Sequence, residues 1–273
     1  MNVIKKILNS KFFITLVWIA VIIAVWEICA AHIAEVKRTP ENVLPHISGI
    51  IDSLISDKKI NGSQTALEMV LENAGATLSR AAVGYIIGII SGFTLALLMS
   101  LSGVIEKIAF PYLMLIQLIP ILGMAPIINA VTGDIAVSRI VIAAILTFYP
   151  VAANTLAGFR SVRREAHELM YSYASNKFQL YTKTMIPACI PYFFTGLKIS
   201  APMAITASIL VDTLQGGIGL GCLLSQSLKG AMTRYVFWDI VIFSSVIGIL
   251  SFYLMGSVEM LLCPYKRAGG KGR

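Results

Sequence analysis

Six apolar runs, each about as long as a bilayer core is thick, decide most of what this chain can become. They fall at residues 12–30, 79–101, 109–131, 138–159, 186–211 and 236–262. At 1.5 Å per residue, the first covers about 28 Å, close to the thickness of a hydrocarbon core. Hydrophobic residues make up 57% of the chain and charged residues 13%, against roughly 25% charged in a soluble domain. One aqueous core cannot hide that much apolar surface in 273 residues. The bilayer is therefore the solvent for much of the chain, and an all-α integral membrane fold with six transmembrane helices is expected.

The formal charge of +8 does not point to nucleic acid. The basic residues sit in short clusters between the apolar runs, and no nucleic-acid reading module accompanies them. Their distribution has the asymmetry of positive-inside anchoring. Arg160, Arg163, Arg164, Lys177 and Lys183 fall between the fourth and fifth runs, and Lys266, Arg267, Lys271 and Arg273 follow the sixth. Residues 31–77 instead carry six acids against four bases. An even number of spans then puts both termini in the cytosol, with 1–11, 102–108, 160–185 and 263–273 on that side. Lys5, Lys6 and Lys11 precede a first run that is long for a signal peptide and has no small-residue cleavage site, so it reads as a retained anchor. Within 31–77, "NVLPHISGIIDSLIS" has helical spacing and is expected to lie at the interface.

Metal and nucleotide chemistry find no support. Cys29, Cys189, Cys222 and Cys263 share no ligand spacing, and His32, His46 and His167 are scattered. "QGGIGLG" at 215–221 has no preceding strand and reads as a flexible turn leading to a short outer helix. The terminal "AGGKGR" lacks the eight-residue phosphate-loop pattern. The chain is expected to hold no ATP, metal or cofactor of its own.

One cytosolic segment differs from its neighbours. "ELMYSYASNKFQLYTKTMIP", from Glu168 to Pro187, has two helical faces, Leu169, Met170 and Tyr173, then Phe178, Tyr181 and Met185. Small residues separate them. Two short amphipathic helices about a tight bend, ended by Pro187, are expected.

The order of residues from Glu168 to Ile199 resembles the EAA loop of ABC importer permeases. "FYPVAANTLAGFRSV" (148–162), "TLSRAAVGYIIG" (77–88) and "LIPILGMAPI" (118–127) are similar to the nitrate/sulfonate/taurine-type subfamily. The similarity covers about residues 70–262. Glu168, Leu169 and Met170 stand at the Glu-Ala-Ala positions, Ala174 at the family glycine, and Asp212 at the acidic position late in the fifth span. A glycine suits a bend with positive φ, which costs alanine roughly 1–2 kcal/mol. The bend is therefore expected to move, for instance onto Asn176, or Ala174 to stay helical.

The resemblance implies a type I ABC importer transmembrane domain with cytosolic coupling helices, in a bacterial plasma (inner) membrane. Residues 1–69 would be an anchor helix and extracytoplasmic connection, 70–262 the transmembrane domain, and 263–273 a basic cytosolic tail. The implied function is a permease subunit that passes a small solute, such as a sulfonate, nitrate, taurine or a vitamin precursor, by alternating access. It is not an enzyme. The implied partners are a separate ABC ATPase that binds ATP and Mg, an extracytoplasmic substrate-binding protein and a second permease copy. Glu168, Leu169, Met170, Tyr173, Ala174, Phe178 and Pro187 would couple to the ATPase. Polar groups inside spans are costly and mark function, so Gln117, Asn129, Lys198, Ser200, Thr206 and Asp212 are candidates for the translocation path. A gradient-driven secondary transporter or channel is the alternative reading, but no internal repeat supports it.

Overall fold

The computed structural model describes residues 11–37, 43–60, 63–230 and 234–263. The amino-terminal lysines 5 and 6 and the basic tail beyond Cys263 lie outside them. The regular structure among the described residues is helical. The order is α1 (Lys11–Val36), α2 (Ile47–Ile55), α3 (Ala66–Leu101), α4 (Gly103–Leu118), α5 (Ile121–Thr132), α6 (Ile135–Arg160), α7 (Arg164–Ser172), α8 (Lys177–Leu180), α9 (Ile186–Gln215), α10 (Leu220–Lys229) and α11 (Arg234–Leu262). A π-helical turn, Tyr181–Met185, joins α8 to α9.

Five helical segments are long and apolar enough to cross a bilayer, and six qualify when α4 and α5 count as one. The third span expected at 109–131 is thus not straight. α4 and α5 meet at a bend of 112°. Ile119, preceding Pro120, is extended at φ −71, ψ 126, as the proline ring requires of the residue before it. Pro120 supplies no N–H to carry the helix on.

The helices also overrun their apolar cores. α3 starts at Ala66 rather than near 79 because a capping box closes its first turn. The Glu68 amide donates to Thr65 Oγ1 at 3.3 Å, and the Thr65 amide donates to Glu68 Oε2 at 3.0 Å. Ser102 caps α4, accepting from the Ile105 amide. Asp134 caps α6, accepting from the amides of Ala136 and Val137. Gly133, at φ +67, ends α5 in the left-handed region just before it.

The chain divides into two compact units. One comprises the described residues up to Val70 with Gln226–Val241. Here Trp26 of α1 donates from Nε1 to the Pro45 carbonyl at 3.0 Å and meets Trp238 edge to face at 4.9 Å. Glu27 faces the start of α2. It pairs with His46 Nδ1 at 2.6 Å and accepts from the Ile47 amide at 2.9 Å, where the helix dipole favours an anion. Glu27 thus anchors the start of α2 to α1. Ser53 of α2 donates to Asp239 Oδ2 at 3.0 Å.

The other unit, Leu71–Ser225 with Ile242 onward, holds the packed helices. α3 lies close against α6 along Gly84, Gly88 and Gly92. A methyl group at Gly84 would lie 2.6 Å from the Ala143 Cβ, and one at Gly88 would lie 2.5 Å from the Thr147 Cβ. Small residues at every fourth position let membrane helices approach to backbone contact. One core cluster joins α3 (Ala96, Met99), α4 (Leu113), α6 (Leu156, Phe159) and Met185. It holds the segment that follows α6.

Candidate functional site

That segment is a short helical hairpin. α7 ends in a Schellman motif. The Ala174 amide donates to the Tyr171 carbonyl at 2.9 Å, and the Ser175 amide to the Met170 carbonyl at 3.1 Å. Ala174 itself stands at φ +50. The bend therefore remains at the alanine rather than moving to Asn176, contrary to expectation. The two reverse hydrogen bonds, with Ser175 Oγ donating to Met170 O at 2.7 Å, hold it there. Asn176 instead starts α8. It accepts from the Gln179 amide at 2.8 Å, while Gln179 Oε1 accepts from the Asn176 amide.

The second arm does not end at Pro187. It runs through the π-helical turn into α9, with Pro187 in the first turn of that helix. The Ile186 amide reaches back five residues to the Tyr181 carbonyl. The wider turn accommodates a residue that has no amide to donate and whose ring crowds the carbonyl four back.

The hairpin presents two surfaces. Tyr171 (87% exposed), Tyr173 (75%), Phe178 (75%) and Leu169 (56%) face outward. Met170 is half-buried. Glu168 is exposed and pairs with Arg164 one turn back at 3.0 Å. The expected face of Phe178, Tyr181 and Met185 splits. Phe178 is exposed, while Tyr181 and Met185 pack against the core cluster. Four large apolar or aromatic side chains thus stand outward on a turn fixed by paired hydrogen bonds.

At the opposite ends of α3, α6 and α9 lies a buried charge cluster. The Asp212 carboxylate is fully buried. Arg139 Nε of α6 lies 2.8 Å from Oδ1, and Arg80 Nη2 of α3 lies 3.3 Å away. Thr77 donates to Oδ2 at 2.7 Å. The arginines also hold the turn after α9. Arg139 donates to the Gly216 carbonyl, and Arg80 to the Ile218 carbonyl at 2.7 Å. Asn73 accepts from the Gly219 amide, and Thr77 from the Leu220 amide. Gly219, at φ +155, lies directly against Asp212 and Arg80, where a Cβ would collide with both. The turn expected to be flexible is therefore pinned on several sides. Cys222 of α10 donates from Sγ to the Asp212 carbonyl at 3.1 Å. Burial pushes its thiol pKa up, and the Asp212 carboxylate adds to the shift.

The other candidate path residues are scattered in their contacts. Lys198 of α9 pairs with Glu259 of α11, whose side chain is 2% exposed. Ser200 donates to the Gly196 carbonyl at 2.8 Å, and Thr206 to the Pro202 carbonyl at 2.9 Å, both within their own helix. Gln117 is exposed and donates from Nε2 to Met114 Sδ of its own helix. Asn129 keeps a buried Oδ1 that finds no hydrogen-bond partner among the described residues. A cavity of about 730 Å³ opens between α3, α9 and α11, lined by alanines 81, 82, 201 and 204 under Leu250 and Tyr253. None of the six candidates lines it.

Arg80, Arg139 and Glu259 were not among the residues singled out from sequence. Their signal was present, since each is a charge inside an apolar run. Their partners lie 132, 73 and 61 residues away, so the pairings had no local trace.

Residues 84–261 match the family described as "Binding-protein-dependent transport system inner membrane component". The chain is 28% identical over 246 residues to the formylaminopyrimidine transport permease protein ThiX of Halalkalibacterium halodurans, covering 90% of this chain and 93% of that one. It is 25% identical over 263 residues to the nitrate import permease protein NrtB of Synechocystis, covering 96% and 94%. Its fold matches a solved inward-facing MetNI methionine ABC transporter chain with a TM-score of 0.59 at 15% identity, over 71% of this chain and 96% of that one. The expected fold class is thus the observed one, an ABC importer transmembrane domain. The apolar helices, the outward hairpin and the span of the match agree: the chain is a multi-pass membrane transport permease of the binding-protein-dependent transport system inner membrane component family.

Proposed function

We propose that this chain is the permease subunit of an ATP-driven importer and that its hairpin docks an ATPase subunit. One observation carries the reading. Tyr171, Tyr173 and Phe178 stand at least three-quarters exposed on a rigidly capped turn, where a polar surface would cost less in water. Exposed aromatics on a fixed frame suit a groove on a soluble partner. The positive-inside bias favours a cytosolic side for this hairpin and both termini, the side where ATP is. The Asp212 cluster then closes the outer ends of the spans.

Two permease copies would enclose the path, ATP and Mg would act on the ATPase pair, and a binding protein would deliver solute at the outer face. Alternating access follows from the two closures taking turns. Lys198, Ser200, Thr206, Asp212, Gln117 and Asn129 are proposed to border the path. Names of relatives make nitrate and a formylaminopyrimidine the first solutes to try.

The test is reconstitution of the chain in liposomes with its ATPase and binding protein. Uptake of labelled formylaminopyrimidine, nitrate or taurine is expected to need ATP inside the ATPase-bearing face and all three components. Uptake by the chain alone, driven by an ion gradient, would contradict the reading.

A further inference from the structure

Three helices, α3, α6 and α9, run from the hairpin to the Asp212 cluster. The chain itself joins the hairpin to α6 and α9, whereas α3 is held by packing around Met185 and by the hydrogen bonds of one side chain. Tyr181, in the π-helical turn, donates from its hydroxyl to the Ser100 carbonyl at 2.8 Å. Ser100 Oγ lies 3.1 Å from the same hydroxyl. The tyrosine proton is spent on the carbonyl, so the serine hydroxyl must donate to Tyr181, closing a two-bond clasp. Ser100 stands in the last turn of α3, among carbonyls that a helix end leaves without intrahelical partners. The Tyr181 ring also meets Phe159, near the end of α6, edge to face at 6.2 Å.

The far ends of these helices carry the other half of the chain of contacts. Thr77 and Arg80 of α3 and Arg139 of α6 hold Asp212 and the turn at 216–219. From Arg80 to Ser100 is about 30 Å along a helix. Between these points the Gly84, Gly88 and Gly92 stripe locks α3 onto α6 at backbone distance, so neither can slide alone without a clash.

We infer that Tyr181 is a coupling residue, the joint through which displacement of the docked hairpin is passed to α3, in step with α6 and α9, to open the Asp212 cluster. The inference rests on the docking reading above. Tyr181 acts through Ser100 and touches neither solute nor the outward aromatic face. One carboxylate joins three helices through Arg80, Arg139 and Thr77, the same groups that bond the glycine turn, so a shift of α3 would disturb the helix contacts and the turn together.

Cys222 is a native reporter, because it is buried against Asp212 in the closed cluster. The experiment uses the complex of permease and ATPase in liposomes, with Cys29, Cys189 and Cys263 replaced by alanine. The rate at which N-ethylmaleimide labels Cys222 is followed with and without a non-hydrolysable ATP analogue, for the Tyr181 chain, Tyr181→Phe and Ser100→Ala. ATPase attachment is measured in each sample. The analogue is expected to speed labelling about tenfold with Tyr181 and less than about twofold in Tyr181→Phe, within the range of coupling between linked sites. Ser100→Ala, which keeps the carbonyl, is expected to fall between them. Equal acceleration in the Tyr181 chain and Tyr181→Phe, or none in either, overturns the inference. So does loss of attachment in Tyr181→Phe, which would place the residue in the docking surface. Failure of the docking reading looks different: attachment would then be indifferent to Phe178→Ala in the same preparation.

Discussion

Arg139 Nε lies 2.8 Å from Asp212 Oδ1, and both side chains are almost wholly out of solvent. Arg80 approaches the same carboxylate, so one acid balances two guanidinium groups. Buried pairs of this kind add little net stability over apolar packing, but removing one partner strands the others. Asp212→Asn keeps the shape and leaves two cations facing an amide. It is expected to cost about 3–5 kcal/mol, read as a lower unfolding midpoint in detergent. Arg80→Gln should cost less, since Arg80 is partly exposed and Arg139 remains.

Helix contact makes the second prediction. Gly88→Ala adds a methyl 2.5 Å from the Thr147 Cβ, whereas a methyl at Gly75, on the same helix, meets nothing within 4 Å. Gly88→Ala is expected to destabilise by about 1–3 kcal/mol through overpacking. Gly75→Ala should be neutral or stabilise by up to about 1 kcal/mol, from helix propensity. Paired unfolding curves of the two variants check this, and equal midpoints would mean that α3 and α6 are not in backbone contact.

The hairpin bend gives the third. Ala174 pays for a left-handed backbone that glycine adopts freely. Ala174→Gly is expected to tighten the hairpin by about 1 kcal/mol, and Asn176→Ala to loosen it by about 1 kcal/mol through loss of the cap. Hydrogen exchange of the amides of Ala174, Ser175 and Gln179 should slow in the first variant and quicken in the second.

Much of this architecture was legible in the sequence because apolar length is a one-dimensional signal. Leu169, Tyr173 and Phe178 could be read from helical spacing, whereas the exposed Tyr171 was not singled out and Tyr181, expected beside Phe178, packs inward. What stayed hidden depends on contacts distant in sequence. Ala174 looked unfit for a positive φ because side-chain cost is local, while the Schellman and serine bonds that hold it appear only once the turn is built. Pro187 looked like a stop signal because proline ends an α-helix, and a π-helical turn before it escapes periodicity. The glycines at 216–219 looked flexible, and Arg80 and Arg139 reach them from helices far upstream. Lys198 had several possible fates in a span, and its choice of Glu259 needed the packing of α9 against α11.

Orientation yields the fourth prediction. Arg163 and Lys229 are both exposed and lie before and after the long helix α9. In a chain cleared of native cysteines, a cysteine at Arg163 is expected to resist a membrane-impermeant thiol reagent in intact cells, and one at Lys229 to react. The reverse pattern would put the hairpin outside the cytosol and away from any ATPase.

The most direct measurement is capture of the ATPase by the permease, at equal membrane abundance, with and without the Phe178 ring. Phe178 is three-quarters exposed in the free chain and would be an anchor once docked. Truncating such an anchor commonly costs about 2 kcal/mol or more, roughly thirtyfold in affinity. Phe178→Ala is expected to lose the ATPase by about that factor and to abolish uptake, with insertion unchanged, and Ala174→Trp to block docking by filling the contact. Full attachment and full transport in both variants would contradict the central claim and reduce the hairpin to a connector.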